Sequence, residues 1–487
     1  VPDADECIVG IMAMHVLAGE EHPLYLYGQG YGAGAGLEAR LSALLFAFTG
    51  PDGKTLKLAA LFLWIIMVLL GWRLASRMLG RRTGAICLSL LAVSPQMAEW
   101  SMKLRGGHLS ALVFLVLSAW LGWRLLEKKG QNGLVMSGAF GATAALAGWA
   151  QPVAAPAATS LVLVAFMFLL GWKKYAQGLL IMGGAFCIAL IAYFTMPGEA
   201  VWLSPASGLY RNMYGLYLLI LKILPRVFTP YQDPIAFEPS LLIWVVALVW
   251  GVFVIIAFYF SLRHLVRHRI KKRLSRALLF LDVTVVLCVL AALFVDLTAL
   301  APRHLLATYP FLCLLAASLF WRFEKERKIK TAAVLYAVLV IAGMAANSAV
   351  LLDSSFHNPG LGVRMPAKSV KQTVKWLEEK GFYKVYSADT DFTWNLIFTS
   401  REKIIARSWN RRERYPLYVN QVDRTARSGV PMAVVFPYPE GPLKKPVMKK
   451  LMGLPGAKAT KVAPQVKVVH GISGADLLQY FPPARND

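Results

Sequence analysis

The chain contains about ten apolar runs long enough to cross a lipid bilayer, and this repetition restricts its fold more than any other feature. The runs lie at roughly 55–79, 83–100, 109–126, 133–150, 154–172, 176–195, 240–262, 277–299, 304–321 and 331–352. Of the 487 residues, 57% are hydrophobic and only 16% are charged, and the mean hydropathy is +0.52. An ordinary soluble domain is much less apolar. We therefore predict a polytopic α-helical membrane protein.

Basic residues divide the connections between these runs into two alternating sets. The basic set contains Arg73, Arg77, Arg81, Arg82, Lys128, Lys129, Lys173, Lys174, the run 263–276 and the run 322–330. The other set contains few basic residues, namely Lys103, Arg105, Arg211, Lys222, Arg226 and Arg303. Lys and Arg accumulate in short cytoplasmic loops, so the first set is predicted to face the cytoplasm. Residues 1–54, 196–239 and the tail from 353 onward then lie outside.

This topology predicts three parts. Residues 1–54 form a first extracytoplasmic loop with an acidic motif and juxtamembrane helices, 55–352 form the transmembrane domain, and 353–487 form an extracytoplasmic domain. A chain that starts outside at Val1 is most simply explained by one further helix ahead of it, with a cleaved signal peptide as the alternative. The expected location is a bacterial inner membrane.

The tail, 353–487, alternates helical and strand patterns. Helical spacing covers 369–380 and 418–426, while strand patterns cover 382–386, 404–406, 433–436 and 466–470. This alternation predicts a small α/β domain with a mostly parallel sheet. The tail has neither a G-x-G-x-x-G motif nor a P-loop, so it gives no support for nucleotide binding.

The net charge of +25 is not explained by cytoplasmic loops alone, because the external tail is also rich in Lys and Arg. A basic surface beside a membrane attracts anionic lipids or phosphate groups, and nucleic acid is not expected as a partner outside the cell. The five cysteines are scattered without metal-ligand spacing. They predict neither a disulfide framework nor a zinc site.

An acidic pair, Asp5-Glu6, precedes the first apolar run. Carboxylates beside a bilayer are costly to desolvate unless they have partners or a function. Helix capping is the alternative explanation, because a helical apolar pattern follows over 8–16. Asp3 and Asp5 also form a D-x-D spacing whose oxygens could bind Mg²⁺ or Mn²⁺.

The acidic pair belongs to a longer set of residues in loop 1: Asp5-Glu6, Gly10-Ile11-Met12-Ala13, Gly19, Pro23-Leu24, Tyr27-Gly28-Gln29, Leu37-Glu38-Ala39 and Leu41-Ser42-Ala43-Leu44. This set resembles the first external loop of bacterial GT-C glycosyltransferases, the relatives of protein O-mannosyltransferases and of the lipid A aminoarabinose transferase. Shorter stretches agree with the resemblance: Lys103-Leu104-Arg105-Gly106-Gly107, Trp149-Ala150-Gln151-Pro152, Arg303-His304-Leu305-Leu306, Tyr309-Pro310, Val385-Tyr386-Ser387, Thr399-Ser400 and Arg414-Tyr415-Pro416.

The resemblance implies transfer of a sugar from a polyprenyl-phosphate donor to an acceptor hydroxyl on the external face. Asp5 would then be the base that takes the hydroxyl proton, and Glu6 would orient rather than react. No cofactor is implied, and a divalent metal is not expected, because the closer relatives use none. The implied partners are membrane lipids, the lipid-linked sugar, a protein, lipid or glycan acceptor, and other subunits of a membrane complex.

The donor phosphate needs a cation that this loop does not provide. Aminoarabinose transferases carry a Lys-Pro segment there, whereas the stretch 27–36 contains no Lys. Phosphate binding is therefore assigned first to Arg303 beside His304, then to Arg105 and Lys103. Snorkelling to lipid headgroups is the alternative for Arg303. The substrate cavity is expected to include Tyr27, Gln29, Glu38 and His108.

Two other functions remain open from the sequence. A non-catalytic GT-C-like subunit of a larger membrane assembly would explain the altered glycine-rich loop. A transporter would also use ten or eleven spans, but transporters commonly show internal repeats and charges in mid-span. The sequence shows no repeat between its halves.

Overall fold

A computed structural model describes residues 2–28, 34–127, 133–169, 183–184, 241–267, 273–292, 302–325, 329–352, 366–409, 414–441 and 444–481. The described part preceding the tail is helical. Its α-helices are α1 (Ala4–Ala18), α2 (Gly36–Thr49), α3 (Gly53–Leu79), α4 (Arg81–Val93), α5 (Pro95–Trp100), α6 (His108–Glu127), α7 (Gly133–Ala150), α8 (Ala155–Leu169), α9 (Leu241–Arg267), α10 (Arg273–Ala292), α11 (Tyr309–Lys325) and α12 (Ile329–Leu352). Two 3₁₀ turns, Pro152–Ala154 and Pro302–Thr308, precede α8 and α11.

Within the described residues, five helical stretches are long and apolar enough to cross a membrane. They are Gly53–Leu79, His108–Glu127, Trp244–Val266, Leu305–Phe323 and Ile329–Ala349, and shorter apolar helices cover Leu134–Ala150 and Pro152–Met167. Apolar side chains such as Phe62, Leu69 and Ile341 are exposed on these helices, as expected where lipid replaces water. The predicted fold class, a polytopic helical membrane protein with a small C-terminal domain, is confirmed.

One predicted span is divided. The run 83–100 was expected to be continuous, but α4 ends at Val93 and α5 begins at Pro95. A proline disfavours helical backbone at the residue that precedes it. Ser94, which precedes Pro95, has an extended backbone, and its hydroxyl accepts from the N–H of Met97 at 3.4 Å. The predicted span 176–195 lies almost entirely outside the described residues.

The C-terminal domain contains one five-stranded sheet with helices around it. Its strands are β1 (Lys384–Ser387), β2 (Ile405–Ser408), β3 (Pro431–Pro437), β4 (Lys458–Ala463) and β5 (Val466–Ser473), in the order β2-β1-β3-β5-β4. Its helices are α13 (Ala367–Glu379), α14 (Thr390–Thr399), α15 (Pro416–Arg427), α16 (Lys444–Met452) and α17 (Gly474–Leu477).

The expectation of a mostly parallel sheet is wrong for half of the pairings. Strand β1 pairs in parallel with β2 and β3, whereas β5 pairs antiparallel with β3 and β4. Strand β4 was not predicted, because its sequence Lys-Ala-Thr-Lys-Val-Ala is largely exposed and lacks a buried run. Only two residues separate β4 from β5, which makes a hairpin and forces the antiparallel direction.

The first loop and the C-terminal domain pack against each other through α1 and α14. A Cβ atom added at Gly10 would lie 2.5 Å from the ring of Phe398, so only glycine permits this approach. The same Phe398 ring stacks on Phe46 of α2, with 6.3 Å between ring centroids. The start of α1, which carries the acidic motif, is thereby held beneath the C-terminal domain.

Candidate functional site

Helix α1 begins with a capping box. The Asp3 carboxylate accepts from the N–H of Glu6 at 3.0 Å, and the Glu6 carboxylate accepts from the N–H of Asp3 at 3.0 Å. Capping, the alternative explanation for the acidic pair, therefore accounts for Glu6 and its partner Asp3. Asp5 lies in the first turn outside the box, with 29% of its side chain exposed.

Each carboxylate of this turn forms an ion pair with a different cation: Asp3 with Arg105, Asp5 with Arg414, and Glu6 with Lys57. Burial opposes ionisation of Asp3, but the Arg105 guanidinium, the N–H of Glu6 and the Lys103 ammonium group together outweigh it and hold the pKa of Asp3 below its usual value. Three cations from three separate segments thus converge on one helical turn.

The Glu6 carboxylate is completely buried and also accepts from the N–H of Leu104 at 3.3 Å. With Lys57 from α3 on one side and the 103–105 segment on the other, it joins α1 to two other segments. A carboxylate so enclosed is suited to positioning α1. Asp5, by contrast, is partly open to solvent.

Of the cations expected to bind phosphate, Arg105 pairs with Asp3 as described. Lys103 is buried, with its ammonium group 5.9 Å from the centroid of the Trp100 ring. The backbone of Arg303 and His304 lies in the 3₁₀ turn Pro302–Thr308, but their side chains lie outside the described part of the chain. Their assignment stays a prediction.

Glu38, expected in the substrate cavity, is fully buried and caps another helix. Its carboxylate accepts from the N–H of Gly107 at 2.9 Å and from the N–H and hydroxyl of Ser110 at 3.4 and 3.3 Å, at the start of α6. Burial outweighs these hydrogen bonds and raises the pKa of Glu38 to about 7. The His108 ring lies 4.6 Å from that of Trp100, and Gln29 lies outside the described residues.

The end of the glycine-rich loop is used for packing. The N–H of Gly34 donates to the carbonyl oxygens of Trp149 and Ala150, both at 3.0 Å. This amide is therefore committed to a loop contact rather than directed at a ligand. Residues 29–33 lie outside the described part. In the stretches that the structure describes, no group of three His, Cys, Asp or Glu side chains has the arrangement of a metal site.

A second contact between loop 1 and the C-terminal domain is centred on His15. Its Nδ1 lies 2.9 Å from the Tyr27 hydroxyl and its Nε2 lies 2.9 Å from the Glu402 carboxylate. The Tyr27 hydroxyl donates its hydrogen to Glu21 at 2.5 Å, so its oxygen must accept from His15. Both ring nitrogens therefore donate, which requires the positively charged imidazolium.

Two tyrosines of the C-terminal domain complete this His15 contact. Tyr415 donates to Glu21 at 2.6 Å, and its ring centroid lies 4.6 Å from that of Tyr27. Tyr418 donates to Glu402, the carboxylate that also accepts from His15. The segment that follows Arg414 is thus attached to loop 1 independently of the ion pair with Asp5.

The His15 contact predicts a pH-dependent stability. Burial lowers the pKa of His15, but the carboxylates of Glu402 and Glu21, with that of Glu20, outweigh it and raise the pKa above 6.5. The contribution of the imidazolium to stability is therefore complete below pH 6.5 and is lost as pH rises through the raised pKa. Hydrogen bonds lower the pKa of Glu21, and at Glu402 hydrogen bonds and the charge of His15 outweigh the effect of burial, so both pKa values lie below 4.5. The contributions of these carboxylates are lost only as pH falls through the lowered pKa values. The contact between loop 1 and the C-terminal domain is therefore most stable between pH 4.5 and pH 6.5.

The check is a set of thermal unfolding midpoints of the purified protein at pH 6 and pH 8. We expect the midpoint of the native protein to be about 1–3 °C lower at pH 8 than at pH 6. This difference should be smaller in His15→Gln, because glutamine keeps a hydrogen-bond donor but cannot be charged. His470→Gln is the control, because burial lowers the pKa of that histidine and its contribution has the opposite sign. An unchanged pH difference in His15→Gln would contradict the imidazolium assignment.

Two of the three cations that pair with the first turn of α1 were not predicted. Lys57 follows the start of an apolar run, where a single lysine resembles an interfacial anchor. Arg414 occurs in the tail, among many basic residues, although Arg414-Tyr415-Pro416 is one of the stretches that carry the family resemblance. That short motif was the sequence feature that could have identified Arg414. No sequence feature singled out Lys57.

No family model and no curated protein matches this sequence. Among solved structures, the chain is similar to the aminoarabinose transferase ArnT from Cupriavidus metallidurans bound to undecaprenyl phosphate, with a TM-score of 0.60 and 12% identity over 96% of this chain and 93% of that one. It is also similar to the oligosaccharyltransferase of Archaeoglobus fulgidus tethered to an acceptor peptide, with a TM-score of 0.51 and 13% identity over 90% of this chain and 65% of that one.

Both of these proteins are GT-C superfamily members. The chain therefore has the GT-C fold, and the resemblance drawn from loop 1 is confirmed at that level. The ArnT likeness extends over nearly the whole of both chains, so it includes the transmembrane part and the C-terminal domain together.

Proposed function

We propose that this protein is a membrane glycosyltransferase that takes a sugar from a polyprenyl-phosphate donor and transfers it to an acceptor hydroxyl. The observation that carries the proposal is the position of Asp5. It is a partly exposed carboxylate on the first turn of α1, outside the capping box and paired with Arg414, in a fold shared with ArnT bound to undecaprenyl phosphate. Such a carboxylate is suited to accept a proton beside a phosphate.

The reaction forms one bond and breaks one bond at the anomeric carbon, and it moves one proton. The acceptor oxygen attacks the anomeric carbon, the hydroxyl proton passes to Asp5, and the bond between the anomeric carbon and the phosphate oxygen breaks. Its electron pair stays on the phosphate, which leaves as a phosphomonoester without needing a proton. Glu6, buried and paired with Lys57, positions the turn. Arg303, with Arg105 and Lys103, remains assigned to the phosphate.

We propose that loop 1 and the C-terminal domain face the extracytoplasmic side of a bacterial inner membrane. The alternating basic loops support this orientation, because the short loops rich in Lys and Arg all fall on the opposite side. A lipid-linked donor used on that side would reach Asp5 from the membrane surface. The partners are then the lipid-linked sugar and a protein, lipid or glycan acceptor.

The test uses the purified full-length protein in proteoliposomes. A sugar on undecaprenyl phosphate and a nucleotide sugar are each supplied with a bacterial envelope extract as the acceptor pool. We expect release of undecaprenyl phosphate and no use of the nucleotide sugar. Labelling of a cysteine at Lys458, by an impermeant thiol reagent added outside intact cells, checks the orientation. Use of the nucleotide sugar alone, or a shielded Lys458 cysteine, would reject the corresponding part of the proposal.

The ion pair between Asp5 and Arg414 also favours a second candidate function. A carboxylate held permanently by a guanidinium is not free to accept a proton, as in a non-catalytic GT-C-like subunit of a larger assembly. The two functions differ in the donor assay: a non-catalytic subunit releases no undecaprenyl phosphate with any acceptor pool. Co-purification of the chain with other membrane subunits would accompany that result.

A further inference from the structure

We infer that Arg414 binds the donor phosphate, and that its ion pair with Asp5 is the resting state from which the donor displaces it. The inference rests on the proposed function and adds a residue of the C-terminal domain to a site otherwise built from loop 1 and the transmembrane domain. It also gives the Asp5–Arg414 pair a function, because donor binding would free the carboxylate that must accept the proton.

The pair lies where a substrate can reach it. Both side chains, that of Asp5 and that of Arg414, are 29% exposed, although 409 positions separate them in the chain. The neighbouring Glu6–Lys57 pair contrasts with this, since the Glu6 side chain has no exposed surface. A phosphate can therefore approach the Arg414 guanidinium without any rearrangement of the protein interior.

The backbone of Arg414 is held by contacts other than the ion pair. A Cβ atom at Gly28 would lie 2.2 Å from the Cα of Arg414, and Gly28 has a φ of +63°, so glycine is required twice over at this close approach. The adjacent Tyr415 packs on Tyr27 and donates to Glu21. The guanidinium can thus move from carboxylate to phosphate while its backbone stays in place.

The other cations around α1 are less suited to this exchange. Removing Lys57 from Glu6 would leave a fully buried carboxylate without its cation, which is strongly unfavourable. Arg105 pairs with Asp3, the carboxylate that caps α1. Arg414 is paired with the one carboxylate of the turn that the proposed reaction requires to be free.

The chemistry favours a guanidinium at this position. A sugar on polyprenyl phosphate is a phosphodiester with one negative charge, and cleavage of its bond to the anomeric carbon leaves a phosphomonoester with a second developing charge. Two parallel N–H bonds from an arginine stabilise that charge, whereas a lysine presents a single point charge. When Arg414 turns to the phosphate, Asp5 loses its counter-ion and becomes available for the acceptor proton.

The experiment measures binding of undecaprenyl phosphate to the purified full-length protein in nanodiscs. We expect binding to weaken about 10- to 100-fold in Arg414→Gln and about tenfold in Arg414→Lys. Arg424→Gln, at an exposed arginine of α15 in the same domain, is the matched control and should bind within about twofold of the native protein. Native-like binding in Arg414→Gln would overturn the inference.

A second variant separates phosphate binding from domain docking. Asp5→Asn removes the same ion pair but leaves the guanidinium, so we expect it to bind undecaprenyl phosphate at least as tightly as the native protein. If the pair only docked the domain, Asp5→Asn and Arg414→Gln would weaken binding equally, and the inference would be wrong. If the native protein itself bound no undecaprenyl phosphate, the proposed function would fail as well. If the native protein bound undecaprenyl phosphate and Arg414→Gln bound it equally well, this inference would be rejected and the proposed function would not.

Discussion

Replacement of Asp5 by Asn is expected to lower sugar transfer about 100-fold or more while the protein stays folded. The amide has the shape of the carboxylate but cannot accept the acceptor proton, so the loss falls on the chemical step. Asp5 is neither the cap of α1 nor a buried residue, so its replacement removes no element of the capping box. The measurement is the initial rate of undecaprenyl phosphate release per folded molecule, with a thermal unfolding curve of the same preparation.

Asp52→Asn is the matched control for Asp5→Asn. Asp52 is an exposed carboxylate in the same loop that caps α3 by accepting from the N–H of Lys54 at 3.2 Å, a role that Asn fulfils equally well. Its rate should remain within about twofold of the native rate. A full rate in Asp5→Asn would reject the base assignment. A greater loss of rate in folded Glu6→Gln would mean that the roles of the two residues are exchanged.

Elements that depend on local pattern could be predicted from the sequence. The apolar run at 55–79 is sufficient to predict a span, and α3 covers Gly53–Leu79. Helical spacing over 418–426 similarly predicts α15, which covers Pro416–Arg427. The break at Ser94 was also within reach, since it lies directly before Pro95, but the continuous apolar run obscured it.

The ion pairs of the site could not be predicted, for a physical reason. Asp5 meets Arg414 only because the C-terminal domain docks on α1, and that docking depends on tertiary contacts such as the one between Gly10 and Phe398. Periodicity and composition carry no information on a contact across 409 positions. They likewise gave no basis for choosing Lys57 among the basic residues at the ends of spans.

Capping could be predicted in kind but not in detail. The Asp5-Glu6 pair was expected to lie at the start of a helix, and helix α1 does begin beside it. The N-cap, however, is Asp3 rather than a member of the pair. The difference is two residues, within the usual uncertainty of helix boundaries read from sequence. It has a functional consequence, because Asp5 then falls outside the capping box and its carboxylate is left for Arg414.

Replacement of Lys57 by Met is expected to destabilise the protein by about 3–5 kcal/mol, the usual cost of removing one partner of a buried ion pair. The Glu6 carboxylate has no exposed surface, so water cannot replace the lost ammonium group. Two backbone N–H groups, those of Asp3 and Leu104, would remain as its donors. The measurement is the free energy of unfolding in detergent, or the unfolding midpoint where unfolding is irreversible.

Removing the charge of Glu6 should restore most of this stability. In the double variant Glu6→Gln and Lys57→Met, a neutral amide oxygen can still accept from the N–H of Asp3, so no buried charge is left unpaired. The Lys54→Met control, at an exposed lysine one turn earlier in α3, should change stability by less than about 0.5 kcal/mol. A double variant no more stable than Lys57→Met would contradict the charge argument. The lysine would then act through packing of its methylene chain, and the position of Asp5 on α1 would depend on that packing rather than on the buried pair.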